Sequence, residues 1–106
     1  MPQPPKLTDE QRAKALEAAA KARRVRAEVK ERLKMGSVTL PELLAKADTN
    51  EILAKLKVLT VLESLPGVGK VSARRLMEEL SIAESRRLKG LGDNQRAGLV
   101  ERFPGT

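Results

Sequence analysis

The sequence predicts an all-α fold in which one long N-terminal helix precedes a compact bundle of short helices. Three observations lead there. From Thr8 to Met35 the chain contains neither glycine nor proline, and its apolar residues recur at helical spacing. Three pairs read as capping boxes, Thr8 with Gln11, Thr39 with Glu42 and Thr60 with Glu63. No segment alternates apolar and polar residues convincingly enough for a strand; Val58, Val61 and Leu62 come closest, and the capping box beside them outweighs that pattern.

Residues 1–7, with three prolines in the first five positions, read as a disordered lead-in. Thr8 starts a helix from Asp9 to Met35, with Asp9 and Glu10 in its first turn, where the helix dipole favours acids. Ala15, Ala18, Ala22, Val25, Val29 and Leu33 fall within about 80° of one another at 100° per residue. The N-terminal half of that stripe is only alanine and buries little, so it projects from the body or meets something small. Arg23, Arg26, Lys30 and Lys34 form a second, basic stripe beside it. Gly36-Ser37 ends the helix. A short helix over Leu40–Ala47 comes next, with Pro41 tolerated in its first turn. Asp48-Thr49-Asn50 breaks it and caps another over Glu51–Leu56, and Thr60 opens a helix reaching Leu65. After Pro66-Gly67-Val68-Gly69, a helix runs from Lys70 or Val71 to Leu80, with Val71, Leu76, Met77 and Leu80 inward. A turn-rich link carries Gly90 and Gly92, Asp93 caps a last helix to Arg102, and Phe103 docks on the core ahead of a frayed tail over 104–106. Residues 36–103 therefore form a helical core after a long basic helix over 8–35, all within one domain of 106 residues.

Charge narrows the function. Lys and Arg number 21 against 14 Asp and Glu, a net of +7. Residues 1–35 hold ten basic and five acidic side chains, so +5 of that +7 sits in the first third of the chain. Such a domain suits a polyanionic partner. Phe103 is the only aromatic residue. A platform of rings for stacking splayed bases cannot be built, which favours duplex or backbone recognition over single-strand reading. The absence of Cys and His excludes disulfides and most zinc sites, and removes the usual general base near pH 7. No apolar run approaches the roughly 18 residues of a membrane helix, and Met1–Pro5 carries no signal-peptide pattern. The expectation is an intracellular, soluble protein that needs no cofactor or metal.

The segment richest in chemistry is Leu62 to Leu76, with Leu65-Pro66-Gly67-Val68-Gly69-Lys70 at its centre. Two glycines at a helix start allow positive φ and a close approach of backbone to ligand. The N–H groups of Gly67, Gly69 and Lys70 would point outward at the positive end of a helix dipole, an anion site fit for phosphate. Lys70 and the Ser72 hydroxyl add contacts, and Arg74 and Arg75 extend the positive charge. Pro66, Gly67, Val68, Gly69, Lys70, Ser72 and Arg74 are the candidate phosphate-binding residues of this hairpin. The segment resembles the helix-hairpin-helix motif of DNA-binding proteins.

Beyond it stand three cations in four residues, Arg86, Arg87 and Lys89, with only Glu84 as a nearby acid. Residues 65–103 resemble the helix-two-turn-helix region of ribosomal protein S13, through Gly67-Val68-Gly69-Lys70, Arg86-Arg87-Leu88-Lys89-Gly90-Leu91 and Gln95 to Leu99. That resemblance places Arg86, Arg87 and Lys89 on a second loop beside the hairpin, extending the phosphate grip.

With Ala19-Ala20-Lys21-Ala22-Arg23-Arg24 added, residues 6–103 resemble the actinobacterial integration host factors. The resemblance implies a nucleoid-associated, architectural, double-stranded DNA-binding protein with little sequence preference. It implies DNA bending and assistance to phage integration, with an integrase as a further partner, and a monomer acting in the cytoplasm on the nucleoid. Arg23, Arg26, Lys30 and Lys34 would give a second DNA surface, able to bridge two duplexes or bend one. The alternative is an S13-like ribosomal or other RNA-binding structural protein, although such proteins normally carry a long basic C-terminal tail, whereas here the extra basic mass is N-terminal. A coiled-coil arm is disfavoured because the first helix lacks Leu or Ile at sustained heptad spacing. Catalysis is not expected: Asp93 reads as a cap, and Glu78 and Glu79 as solvated partners of Arg74 and Arg75. No Walker loop, triad or metal cluster is present.

Overall fold

The computed structural model describes residues 8–104. The expected disordered lead-in over 1–7 and the last two residues of the expected tail lie outside them. Among the described residues six helices form: α1 (Asp9–Met35), α2 (Leu40–Ala47), α3 (Glu51–Ala54), α4 (Val58–Ser64), α5 (Lys70–Glu79) and α6 (Asp93–Arg102), with a 3-10 turn over Leu88–Gly90 before the last. Among the described residues no strand forms, only an isolated antiparallel bridge between Lys57 and Arg87.

The start of α1 is set by its capping box. Thr8 Oγ1 accepts from the Gln11 N–H at 3.1 Å, and Gln11 Oε1 accepts from the Thr8 N–H at 3.0 Å. Its end is set by Gly36, whose φ of +75° reverses the chain while the N–H of Ser37 bonds back to the Arg32 carbonyl at 3.0 Å. Only the C-terminal part of α1 is packed. Leu33 is fully buried, Val25 and Val29 rest against the core, and residues 9–19 are exposed. The alanine-only half therefore projects. Its reach explains principal extents of 52 × 32 × 25 Å and a radius of gyration of 16.6 Å, against about 13 Å for a compact chain of this length.

The core is wholly aliphatic. Leu33 from α1, Leu40 and Leu43 from α2, Val58, Val61 and Leu62 from α4, Met77 from α5 and Leu99 from α6 are its innermost side chains. Phe103 packs at the margin, half-buried. The buried Ser64 hydroxyl donates to the Thr60 carbonyl at 2.8 Å, so that polar group is satisfied. The last helix is secured by two polar links. Gln95 accepts from the Gly92 N–H at 3.0 Å and donates to the Ser81 carbonyl at 2.8 Å. Arg96 forks onto both carboxylate oxygens of Asp48 at 2.8 and 2.9 Å, joining α6 to the end of α2. The Arg96 hydrogen bonds hold the Asp48 carboxyl below the usual carboxylate range. The fork accordingly contributes its stability above pH 3.8, and loses it as pH falls through the lowered folded-state value.

Several local expectations are corrected. Helix α3 stops at Ala54, and α4 begins two residues before Thr60, because the bridge at Lys57 releases the chain into a helix there. Thr60 caps nothing. At α2, Thr39 accepts from the Glu42 N–H, but its own hydroxyl donates to Glu42, so the box is only half formed. Gly92, not Asp93, is the N-cap of α6. Val71 is 72% exposed rather than inward, since it lies about 200° around the helix from buried Ala73. Glu79 pairs with Arg102 at 2.9 Å and Arg74 with Glu84 at 3.3 Å, in place of the expected pairing along α5.

The joint between α1 and the body should be the energetic weak point of the arm. Replacing the fully buried Leu33 with Ala should lower unfolding free energy by about 2–5 kcal/mol in urea denaturation. Leu16→Ala, on the projecting half where that leucine is 64% exposed, should change it by less than about 0.5 kcal/mol.

Candidate nucleic-acid interface

The hairpin between α4 and α5 is built by a tight turn. The Val68 N–H bonds to the Leu65 carbonyl at 3.2 Å, with Pro66 and Gly67 between them and Gly67 at φ +75°. Proline at the second position and a positive-φ glycine at the third define a type II turn. Leu65 is buried and anchors it, while Pro66, Gly67 and Gly69 are exposed. Gly69 then takes φ −90° and ψ 174° as N-cap of α5. Of the two glycines that allow positive φ, only Gly67 uses it, because one type II turn completes the reversal and the N-cap is extended.

The start of α5 is left open. Its first backbone bond runs from the Ala73 N–H to the Gly69 carbonyl at 2.9 Å. Among the described residues, no protein acceptor meets the N–H of Gly67, Gly69, Lys70, Val71 or Ser72. No side chain caps this end, and its first turn holds no acid. By contrast α1, α2 and α3 each have a side-chain cap and an acidic residue in the first turn. In α5 that position holds the exposed Lys70 instead. A cation opposes the helix dipole there, so the free protein gains nothing from it, whereas an anion held between the N–H groups and Lys70 would. The space supports this reading. A Cβ built on Gly69 meets nothing within 4 Å, so no contact inside the protein requires glycine. The position is left open to close approach from outside.

The second loop is tied to the junction between α3 and α4. The Val58 N–H bonds to the Arg86 carbonyl and the Leu88 N–H to the Leu56 carbonyl, each at 2.9 Å. Arg86 donates to the Gly90 carbonyl at 2.8 Å, with its aliphatic stem lying against Gly90, and Arg87 donates to the Lys55 carbonyl at 2.6 Å. Glu84, the nearby acid, is engaged by Arg74. Arg86, Arg87 and Lys89 are all exposed, and none has an ion-pair partner among the described residues. Two arginines that read from sequence as free cations are thus also fasteners, each spending one of five guanidinium donors on a carbonyl. The bridge also brings in Lys55 and Lys57, both exposed. Sequence reading missed them, because their neighbours lie some thirty residues downstream.

The first-helix cations divide. Lys30 and Lys34 line a groove of about 380 Å³ against α4, with Thr60, Glu63 and Ser64 opposite, and Ser64 adjoins the hairpin. Arg23 lies further out along α1, exposed, and Arg26 is partly covered. None of the four forms an ion pair among the described residues. No group of three or more His, Cys, Asp or Glu there is placed to hold a metal, and no described helix is long and apolar enough to cross a membrane.

Residues 33–103 match the S13-like H2TH domain family. The chain is 60% identical over 99 residues to the integration host factor of Mycolicibacterium smegmatis, covering 93% of this chain and 94% of that protein. It is 59% identical to the integration host factor of Mycobacterium tuberculosis, with the same coverage. It is 56% identical over 102 residues to that of Streptomyces coelicolor, covering 96% and 95%. Among solved structures, one described as sIHF bound to an 8bp palindromic DNA superposes with a TM-score of 0.80 at 54% identity, covering 82% of this chain and 98% of that one.

The two glycines should separate in denaturation experiments on the free protein. Gly67→Ala should cost about 1–2 kcal/mol, because an L side chain is strained in the left-handed region. Gly69→Ala should shift stability by less than about 0.5 kcal/mol.

Proposed function

From the premise that the chain belongs to the integration host factor family, we propose that it is a non-catalytic, nucleoid-associated architectural protein that grips the backbone of double-stranded DNA. The observation that carries this reading is the open N-terminus of α5. Five N–H groups, an adjoining lysine and an unobstructed Gly69 form an anion seat that none of the described residues fills. The structural neighbour described as bound to DNA supports duplex DNA as the ligand.

The chemistry is that of phosphate rather than base. Backbone N–H groups at the helix start, the Lys70 ammonium and the Ser72 hydroxyl donate to phosphate oxygens, and Arg74 adds charge beside them. Arg86, Arg87 and Lys89 extend the grip from the second loop. Such contacts fix the protein on the duplex while carrying little sequence information. Binding releases condensed counterions, which gives a steep salt dependence. Arg23, Arg26, Lys30 and Lys34 supply a further surface along α1. A rigid protein touching one duplex at the hairpin and again along this helix bends it, and touching two duplexes bridges them. The protein acts as a monomer in the cytoplasm on the nucleoid, and its assistance to site-specific phage integration is to supply bent DNA to an integrase. The S13-like character of residues 33–103 favours one second reading, a structural RNA-binding protein.

Mobility shift on a duplex of about 20 base pairs across a salt series tests this, since log affinity falls by about 0.9 per phosphate contact for each unit of log salt. Binding should weaken steeply with salt and be nearly indifferent to sequence. Gly69→Ala should bind about tenfold more weakly, the loss of one charge-assisted hydrogen bond. Binding of structured RNA in preference to duplex at low salt would favour the second reading.

A further inference from the structure

We propose that Lys55 and Lys57 form, with Arg87, a second DNA-phosphate seat at the end of α4 opposite the hairpin, assembled by the antiparallel bridge between the two loops. The proposal rests on the duplex-binding reading above.

The bridge geometry is decisive. Its two hydrogen bonds run from the Val58 N–H to the Arg86 carbonyl and from the Leu88 N–H to the Leu56 carbonyl, so they flank the Lys57–Arg87 pair rather than joining it. In an antiparallel pairing that pattern marks the non-hydrogen-bonded pair, whose Cα atoms stand about 4.5 Å apart with side chains at their closest. Like charges directly opposite one another in this way are destabilising. The chain nevertheless places a lysine facing an arginine and surrounds them with Lys55 and Arg86, and among the described residues no acid pairs with any of the four. The repulsion is held in place by backbone, and a polyanion relieves it.

The seat is also pre-organised. Arg87 is pinned through one guanidinium nitrogen to the Lys55 carbonyl at 2.6 Å. That bond fixes the guanidinium beside Lys55 and leaves most of its five donors for a phosphate. Arg87 thus both positions the lysine-bearing segment and adds charge to it. Helix α4, with seven residues, separates this cluster from the hairpin by about 10 Å along its axis. One short, buried helix therefore presents a phosphate-gripping loop at each end.

Charge reversal at Lys57 tests the proposal in the full-length protein, with Lys57→Ala and Lys55→Ala beside it and Lys46→Glu on α2 as a charge-matched control. Lys57→Glu places an acid opposite Arg87, so its denaturation midpoint should equal or exceed the wild type's while its duplex affinity falls. Each alanine variant should lower the salt slope by about 0.9, so that between 50 and 200 mM salt the wild type loses about three- to four-fold more affinity than the variant. Lys46→Glu should leave the slope as it is. If Lys55→Ala and Lys57→Ala keep the wild-type slope while Gly69→Ala still weakens binding, the second seat is overturned and the hairpin reading stands. Failure of the wild-type protein to bind duplex at low salt overturns both.

Discussion

The burial of helix α4 is the constraint on which the rest of the molecule depends. It has seven residues, too few to be stable alone, and Val58, Val61, Leu62 and Ser64 are all buried. It packs against α1 on one side and α5 on the other. Its N-terminal end is fixed by the bridge to the second loop, and its C-terminal end runs into the type II turn at Gly67. Both loops that carry outward-facing donors are thus referred to a single element in the middle of an aliphatic core. Close packing there converts a set of flexible basic side chains into surfaces of fixed separation.

Function and stability pull in different directions at those surfaces. The start of α5 forgoes a cap and carries a lysine where the dipole prefers an acid. The bridge sets Lys57 opposite Arg87, and among the described residues no carboxylate pairs with either. Acids are available elsewhere, and they are used. Asp48 receives the Arg96 fork, Glu79 receives Arg102, and Asp9 and Glu10 sit at the start of α1. Glu79 lies near the hairpin, in one pocket with Val68 and Ser72, but is engaged by Arg102, while the first turn of α5 holds no acid. The scaffold is stabilised by ordinary means, and its local rules are broken at the two surfaces proposed to hold phosphate.

Much of this was legible in the sequence. The bounds of α1 and α2 came from local chemistry alone, since capping threonines, a terminal glycine and an apolar stripe all act within a few residues. The hairpin was legible for the same reason: Leu-Pro-Gly-Val-Gly-Lys is a local signal. Features set by distant partners were not. Thr60 and Glu63 make a plausible capping box, but pairing of Lys57 with Arg87 moves the helix start to Val58. Arg87 reads as a free cation until the Lys55 carbonyl, 32 positions away, is brought beneath it. Lys55 and Lys57 gave no local signal, because what distinguishes them is the loop they face. Val71 is a different kind of miss, since its angle around α5 from Ala73 would have placed it outside.

On the proposed function, the free N–H groups at the start of α5 hold a DNA phosphate. Titrating a short duplex into the isotopically labelled protein and monitoring the backbone amide resonances tests it most directly. The amides of Gly67, Gly69, Lys70, Val71 and Ser72 should show the largest changes and gain protection from hydrogen exchange on binding. Saturable duplex binding that leaves those amides unmoved, with the changes confined to α1, would contradict it.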